Sequence, residues 1–464
     1  MNAAAPAVPA TFVHRKRRGA EMVLLVLALA IGVGAYAVVG LTRDGQAPSD
    51  IVRYGGGLVL LAVVAHVVLR LRAPYADPVL LPVVVALNGL GLAMIYRLDL
   101  TLTEGDPPEG PYAPPQLLWS ALGVGLFIAV LLIVRDHRRL QSYTYTLGLL
   151  GLGLLLLPLV PGLGTEINGA RIWISLLGLS FQPGEAAKVL LVIAFAGYLV
   201  ANRDALALAG RRLLGIDLPR GRDLGPILAA WGASMAILVF QTDLGSSLLF
   251  FGLFVVLLYV ATERPGWLFV GGLLFAVGAY AGYVLFGHVQ TRVQGWLDPF
   301  SDPNDAYLQI VQGQYGLAWG GILGRGLGDG SPTLIPFSFS DFIVAAFGEE
   351  LGLTGLMAII VLYALIVERG LRTALVCRDA FGKLLAVGLA ASFALQVFVV
   401  VGGVTNLIPL TGLTTPFLSA GGSSMVANWV IIALLLRVSD RARRPAPEVS
   451  MPEADDATQV VRLR

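Results

Sequence analysis

The chain has 464 residues, 56% hydrophobic and 13% charged, with a mean hydropathy of +0.77 and a formal net charge of +2. Soluble globular domains carry about 25% charged residues, so this composition excludes a water-soluble globule; repeated apolar runs long enough to cross hydrocarbon specify a polytopic helical membrane protein. Basic residues occur only in short clusters between those runs, which argues against nucleic-acid binding, and the single Cys377 rules out an internal disulfide framework.

The segment 1–20 is a basic tail, with Arg15, Lys16, Arg17 and Arg18 ahead of the first apolar run. That run is too long for a signal-peptide core and lacks a small-residue cleavage site. Apolar windows broken by Gly, Pro and charge predict about twelve transmembrane helices of roughly 17–25 residues. They fall near 22–40, 54–71, 78–96, 116–134, 142–160, 186–201, 224–240, 244–261, 266–286, 342–367, 383–402 and 421–437. With the N-terminus cytoplasmic, every second loop is basic: Arg70/Arg72, Arg135/Arg138/Arg139, Arg203/Arg211/Arg212/Arg220/Arg222, Arg264, Arg369/Arg372/Arg378/Lys383 and Arg437/Arg441/Arg443/Arg444. The positive-inside rule therefore predicts both termini in the cytoplasm. The tail 438–464 turns polar from about 445 and reads as disordered.

The loops on the opposite, external side carry the charges that composition leaves unexplained. In "NGARIWISLLGLSFQPGEAAKVLL" (168–191), Arg171 and Trp173 suit an interfacial segment. Pro183 then opens a helix that places Glu185 and Lys188 on one face. The bland alternative is an intrahelical pair snorkelling at the interface. In "FQTDLGSSLLF" (240–250), Asp243 is most simply a helix N-cap. The longest loop, 287–341, mixes Trp296, Trp319, Tyr307 and Tyr315 with Arg292 and Arg325, whose guanidinium forks match phosphate oxygens. Its aromatic density predicts a segment lying along the membrane surface.

"SFSDFIVAAFGEELG" (338–352) then brings Asp341, Glu349 and Glu350 to the head of a helix, where Asp341 is again a candidate cap. At 100° per residue, Glu349 lies about 80° around from Asp341 and roughly 12 Å along, while Glu350 faces the opposite way. One Glu at most shares a cavity with Asp341, and the other needs a polar or cationic partner on a neighbouring helix. "NLIPLTGLTTPFLSAGGSSMVAN" (406–428), which includes Ser423, is too rich in Pro, Gly and hydroxyls for a plain span; such backbone is tolerated at membrane depth only inside protein or beside a wet cavity. The inner halves of the spans offer only scattered polar groups, such as His66 and Gln396.

The stretches "NGARIWI", "FQPGEAAK", "QTDLGSSLLF", "WLDPFSDPNDAYLQIVQ", "SDFIVAAFGEELGLTG" and "IPLTGLTTPFLSAGGSSMVANW", in this order, resemble the SEDS family of peptidoglycan glycosyltransferases, and its RodA branch more than FtsW. The resemblance covers roughly 77–437. It implies an all-α polytopic fold in which a ten-helix core (77–437, with the external loop 287–341) follows two accessory helices (21–76). It also implies polymerisation of lipid II on the outer face of the cytoplasmic membrane. Asp341 takes the place of the family's essential loop aspartate and would be the general base. Glu185 and Lys188 match its PxE-x-x-K signature. Arg171, Arg292 and Arg325 would bind pyrophosphate, with Trp173, Asp243, Glu349 and Ser423 supporting them. A divalent cation (Mg2+ or Mn2+) could share that work, but no metal-ligand set is legible. The implied partner is a class B penicillin-binding protein, the crosslinking transpeptidase. Phe337 and Ser340 stand where many members have Glu and Thr, and Gly184 where Ser is common. The rival readings are a flippase for lipid II or another lipid-linked precursor, and a scaffold that only positions the transpeptidase.

Overall fold

A computed structural model describes residues 16–103, 109–167, 169–176, 179–203, 211–213, 216–218 and 221–445. The tail segments expected at 1–15 and beyond 445 lie outside the described residues. Hydrocarbon offers no hydrogen-bond partners, so each apolar run must satisfy its own backbone as a helix.

The helices are α1 (Arg18–Asp44), α2 (Ile51–Arg72), α3 (Leu80–Leu102), α4 (Ala113–Ile133), α5 (Thr144–Leu156), α6 (Pro183–Ala201) and α7 (Gly221–Phe240). There follow α8 (Leu244–Thr262), α9 (Gly266–Leu285), α10 (Gly287–Leu297), α11 (Leu308–Gly320), α12 (Ile343–Val376), α13 (Ala380–Val404) and α14 (Gly422–Arg443). Among the described residues, 11 helical segments are long and apolar enough to cross a membrane; α5 counts with the 3-10 turns that flank it, and α10 and α11 are too short. α7, with 20 residues, lies where a further span is expected.

The all-α polytopic architecture holds, with short strands added outside the spans. Strands β1 (Gly164–Ile167), β2 (Ala170–Leu176) and β3 (Leu179–Phe181) form an antiparallel sheet in the order β1-β2-β3, with Thr165 opposite Trp173 and Ile174 opposite Phe181. Ile172, Trp173 and Ile174 are the β-branched and aromatic types that favour a pleated strand over a short interfacial helix. A second pair, β4 (Arg211–Leu213) and β5 (Ile216–Leu218), forms a small hairpin. Within the stretch 287–341 the chain forms two short helices, α10 and α11, and α11 packs along α12.

The centre of the bundle is α3, α13 and α14: 94%, 78% and 83% of their spans are hidden, against 6% for α9 at the periphery. The buried charges on these helices find partners. Arg97 of α3 donates through Nε to Glu350 Oε1 at 2.8 Å and through Nη2 to Gly330 O at 2.7 Å, both side chains being wholly buried. At the far end, the Tyr75 amide donates to Asp440 Oδ1 at 2.9 Å, Arg437 Nη1 donates to Arg72 O at 2.8 Å, and Arg443 pairs with Asp77. In the accessory pair, Glu21 of α1 meets His66 Nδ1 at 2.6 Å and pairs with Arg70, both on α2.

α12 is interrupted at Gly352, whose φ of 67° belongs to the left-handed region. A Cβ there would lie 2.6 Å from Ile322 O, so only glycine fits. The break lets the chain after α11 dock on α12. Leu353 N and Thr354 N donate to Gly321 O and Ile322 O at 2.9 and 3.0 Å, while Arg325 N and Gly326 N donate to Glu349 O and Glu350 O at 3.1 and 2.9 Å. The non-helical segment 405–421 is also held by protein groups. Gln116 Nε2 donates to Ser419 O at 2.9 Å, Ser419 Oγ donates to Ser340 O at 2.6 Å, and Ala420 N donates to Phe339 O at 2.8 Å. The segment thus forms a floor under the turn that carries Asp341.

Candidate functional site

Asp341 is not a helix cap. The residue before α12 is Phe342, and no side chain caps that helix. Instead, the half-buried Asp341 carboxylate accepts a hydrogen bond from Gln309 Nε2 of α11 at 3.3 Å, and the same amide donates to Pro336 O at 3.3 Å. Burial pushes the Asp341 carboxyl up to about 6, with the Gln309 hydrogen bond and the Arg292 charge opposing it. Arg292 projects from α10, donating through Nη1 to Leu410 O at 2.7 Å. Burial lowers its pKa, while the charges of Asp243 and Asp341 hold it up. α10 is itself pinned to the floor segment: Trp296 Nε1 donates to Asn406 O at 3.1 Å, and Asn406 Nδ2 donates to Trp296 O at 3.2 Å.

Asp243 does cap a helix, its Oδ1 accepting from Ser246 N at 2.9 Å at the start of α8. It also faces the cluster. Burial raises its pKa, the Ser246 hydrogen bonds and Arg292 oppose that, and Glu185 reinforces it. Glu185 and Lys188 form an ion pair of 2.8 Å with exposures of only 6% and 2%, so the pair is enclosed and does not snorkel to the interface. Lys188 Nζ also donates to Gln396 Oε1 at 2.8 Å, and Gln396 Nε2 donates to Thr414 O at 2.9 Å. Gln396 therefore belongs to this cluster, not to the inner half of the bundle. Counting from the Asp379 cap of α13, it lies about 25 Å along the helix, well past the middle. Ser423 Oγ accepts from Gln182 N at 2.8 Å and so ties the start of α6 to the start of α14.

The fold thus brings Asp341, Arg292, Asp243, Glu185 and Lys188 into one electrostatically linked group, and other candidates have their described contacts elsewhere. Arg171 is exposed on β2, although its backbone N–H donates to Gln241 O at 3.3 Å beside Asp243. Trp173 is half-buried on the same strand. Arg325 is exposed and lies over the Trp319 ring at 3.8 Å, with Nε donating to Trp319 O at 3.0 Å. Neither Glu of the GEE run reaches Asp341. Glu349 accepts from Ser331 N at 2.6 Å, and Glu350 from Gly328 N at 2.9 Å in addition to Arg97. Together they clamp the 328–331 turn to α12. Gln309 carries weight that sequence reasoning missed, and Gln396 weight that it placed elsewhere; for Gln396 the signal was a lone amide inside a largely apolar helix, which needs a partner.

An apolar groove of about 710 Å3 between α12 and α13, lined by Ile360, Tyr363, Leu371, Val397 and Phe398, contains none of these residues. Among the described residues, the acids around Asp341 do not form a set of three with ligand atoms within 4.8 Å of one another. Mg2+ is commonly held by one or two carboxylates together with substrate phosphates.

Residues 78–444 match the family model of the FtsW/RodA/SpoVE cell cycle proteins. The chain is 50% identical over 449 residues to the peptidoglycan glycosyltransferase RodA of Mycobacterium bovis, covering 96% of each chain. It is 47% identical over 460 residues to the peptidoglycan glycosyltransferase RodA of Mycobacterium leprae, covering 98% of each. A chain in the solved structure of a peptidoglycan synthase complex, described as coordinating polymerization and crosslinking, superposes with a TM-score of 0.60 and 30% identity, over 79% of this chain and 98% of that one.

Proposed function

Because this chain belongs to the FtsW/RodA/SpoVE family of cell cycle proteins, we propose that it is a peptidoglycan glycosyltransferase of the RodA type. It polymerises lipid II into glycan strands at the outer face of a bacterial cytoplasmic membrane during elongation. Residues 77–437 form the catalytic core, 21–76 the accessory helices, and both termini lie in the cytoplasm, as the basic loops require.

In this reading, Asp341 removes the proton from the acceptor sugar hydroxyl as that oxygen attacks the anomeric carbon of the donor. The bond from that carbon to the pyrophosphate breaks, and undecaprenyl pyrophosphate leaves. The observation that carries the assignment is the place of Asp341: uncommitted to any helix cap, held by Gln309 Nε2 at 3.3 Å and close to Arg292, with burial raising its carboxyl to about 6; a general base works best with a pKa near the operating pH. Arg292 offsets charge on the departing pyrophosphate, one of its five donors being committed to Leu410 O. The enclosed Glu185–Lys188 pair and Asp243 shape the same field, and Ser423 fixes where α6 starts. Arg171 and Arg325, both exposed, meet the substrate headgroup only at the rim, with Trp173 beside Arg171; Glu349 supports the loop. A divalent cation bound with the substrate phosphates would add further charge neutralisation. The partner is a class B penicillin-binding protein, in keeping with the crosslinking described for the similar complex.

The test is reconstitution of the purified chain with labelled lipid II and its transpeptidase. Wild type makes polymer and Asp341→Asn makes it about 10²–10⁴ times more slowly. Undiminished polymer from Asp341→Asn overturns the base assignment, and translocation of lipid II without polymer replaces the enzyme reading with a flippase.

A further inference from the structure

His137, Cys377 and Asp379 lie at the opposite end of α12 from Asp341, about 50 Å of helix away. Nothing in the glycosyltransferase chemistry uses them. His137 opens the 3-10 turn before α5, and the other two lie in the turn between α12 and α13. Their ligand atoms all fall within 4.8 Å of one another. His137 Nε2 is 3.0 Å from Asp379 Oδ2, and Cys377 Sγ is 3.3 Å from the same oxygen. His137 and Cys377 are buried, at 0% and 3% exposure.

Three further features point to a ligand at their convergence. First, Asp379 Oδ1 caps α13 by accepting from Gly382 N at 2.7 Å and lies 3.2 Å from His137 Nε2, while Oδ2 is the oxygen that both His137 Nε2 and Cys377 Sγ approach. Second, a Cβ on Gly382 would lie 2.6 Å from Cys377 Sγ, 2.6 Å from His137 Nε2 and 2.9 Å from Asp379 Oδ2. The three donor atoms therefore surround a space that only glycine leaves open. Third, His137 Nδ1 is buried without a hydrogen-bond partner among the described residues, and the Asp136 carboxylate lies 3.9 Å from it. A metal-bound histidine ordinarily directs its second ring N–H to a carboxylate, which fixes the tautomer.

We propose that His137, Cys377 and Asp379 bind a zinc-class divalent metal ion with one S, one N and one O ligand, leaving a fourth position for solvent. Zn2+ takes this mixture of donors in tetrahedral sites. Binding replaces the hydrogen bonds to Asp379 Oδ2: the thiol proton passes to solvent and the ring proton moves from Nε2 to Nδ1. Arg138 Nε, 3.5 Å from Oδ2, is on a side chain 48% exposed and swings into water as the metal takes its place. The 18% exposure of the Asp379 side chain provides the way in. The ion would fasten the start of the fifth span to the α12–α13 turn.

The experiment uses the full chain in lipid nanodiscs, stripped with chelator and titrated with Co2+ and then Zn2+. Cys377 is the chain's single cysteine, so a thiolate-to-cobalt charge-transfer band can arise nowhere else. The expected result is one equivalent of Co2+ with that band, displaced by Zn2+. Cys377→Ser removes the band and weakens Zn2+ binding at least tenfold, and His137→Gln weakens it similarly. Gly382→Ala, which keeps all three ligands but fills the space, also loses uptake. Wild-type protein that takes up no saturable equivalent, or Cys377→Ser protein that binds Zn2+ as tightly as wild type, overturns the proposal and leaves the three groups as a hydrogen-bonded staple around a helix cap.

Discussion

The raised pKa of Asp341 makes the pH profile of polymerisation a direct test of the site. A base with a pKa of about 6 is about nine-tenths ionised at pH 7 and about one-tenth at pH 5, so the rate falls roughly tenfold between them. An aspartate at its ordinary 3.8 would lose under about a tenth of its activity over that interval. The structure also says how to move the limb. Gln309→Leu removes a hydrogen bond that favours the carboxylate, and Arg292→Met removes its neighbouring cation, so each shifts the midpoint to higher pH. Asp341→Asn lowers the rate by about 10²–10⁴ and abolishes the limb. The assay is initial polymer formation from labelled lipid II in vesicles holding the chain and its transpeptidase, from pH 5 to 8. Melting temperatures at each pH separate catalysis from unfolding. A midpoint near 4, or a limb that neither Gln309→Leu nor Arg292→Met displaces, refutes the reasoning. The sign for stability is opposite to that for activity. The folded pKa lies above the unfolded one, so ionised Asp341 destabilises the fold in full above about pH 6, and the cost fades as pH falls from about 6 to about 4. Asp341→Asn should therefore melt higher than wild type at pH 7.5, with about 3 kcal/mol as the ceiling.

Lys188→Met strands the Glu185 carboxylate in an enclosed site and should cost about 3–5 kcal/mol, whereas Glu185→Gln/Lys188→Met recovers much of it. Thermal unfolding of both variants in one detergent checks this, and equal losses would count against a buried pair. Gly352→Ala forces a side chain into the left-handed region and against Ile322 O, which should open the seam between 320–326 and α12. Faster amide exchange confined to residues 321–326 and 353–354 is the expected signature, and unchanged protection there would show that the break tolerates a Cβ.

The span pattern and the charged segments were legible in the sequence because both depend on local chemistry. Apolar runs must become helices in lipid, and a charge such as Glu350 inside one must find a partner, as it does in Arg97. The proposed site was legible in its separate pieces: Glu185 with Lys188 three residues apart on one helix, and Asp243 before a helix start. Their assembly was not. Whether Asp341 capped a helix or faced a cavity depended on Gln309 and Arg292, which reach it from 32 and 49 residues upstream. The β1–β3 sheet escaped a reading tuned to hydropathy, because strands of three to seven residues carry little periodic signal.

By itself, the sequence determined that this chain is a membrane-spanning helical protein whose unusual charges lie in a few separate segments between and at the heads of its spans. Only the tertiary structure decided which charges meet. It turned Glu349 and Glu350 away to clamp the 328–331 turn, left Arg171 and Arg325 exposed, and drew Gln396 in beside Lys188. The physical reason is that a buried charge or amide is stable only where another element supplies its partner, and the identity of that element is a property of packing.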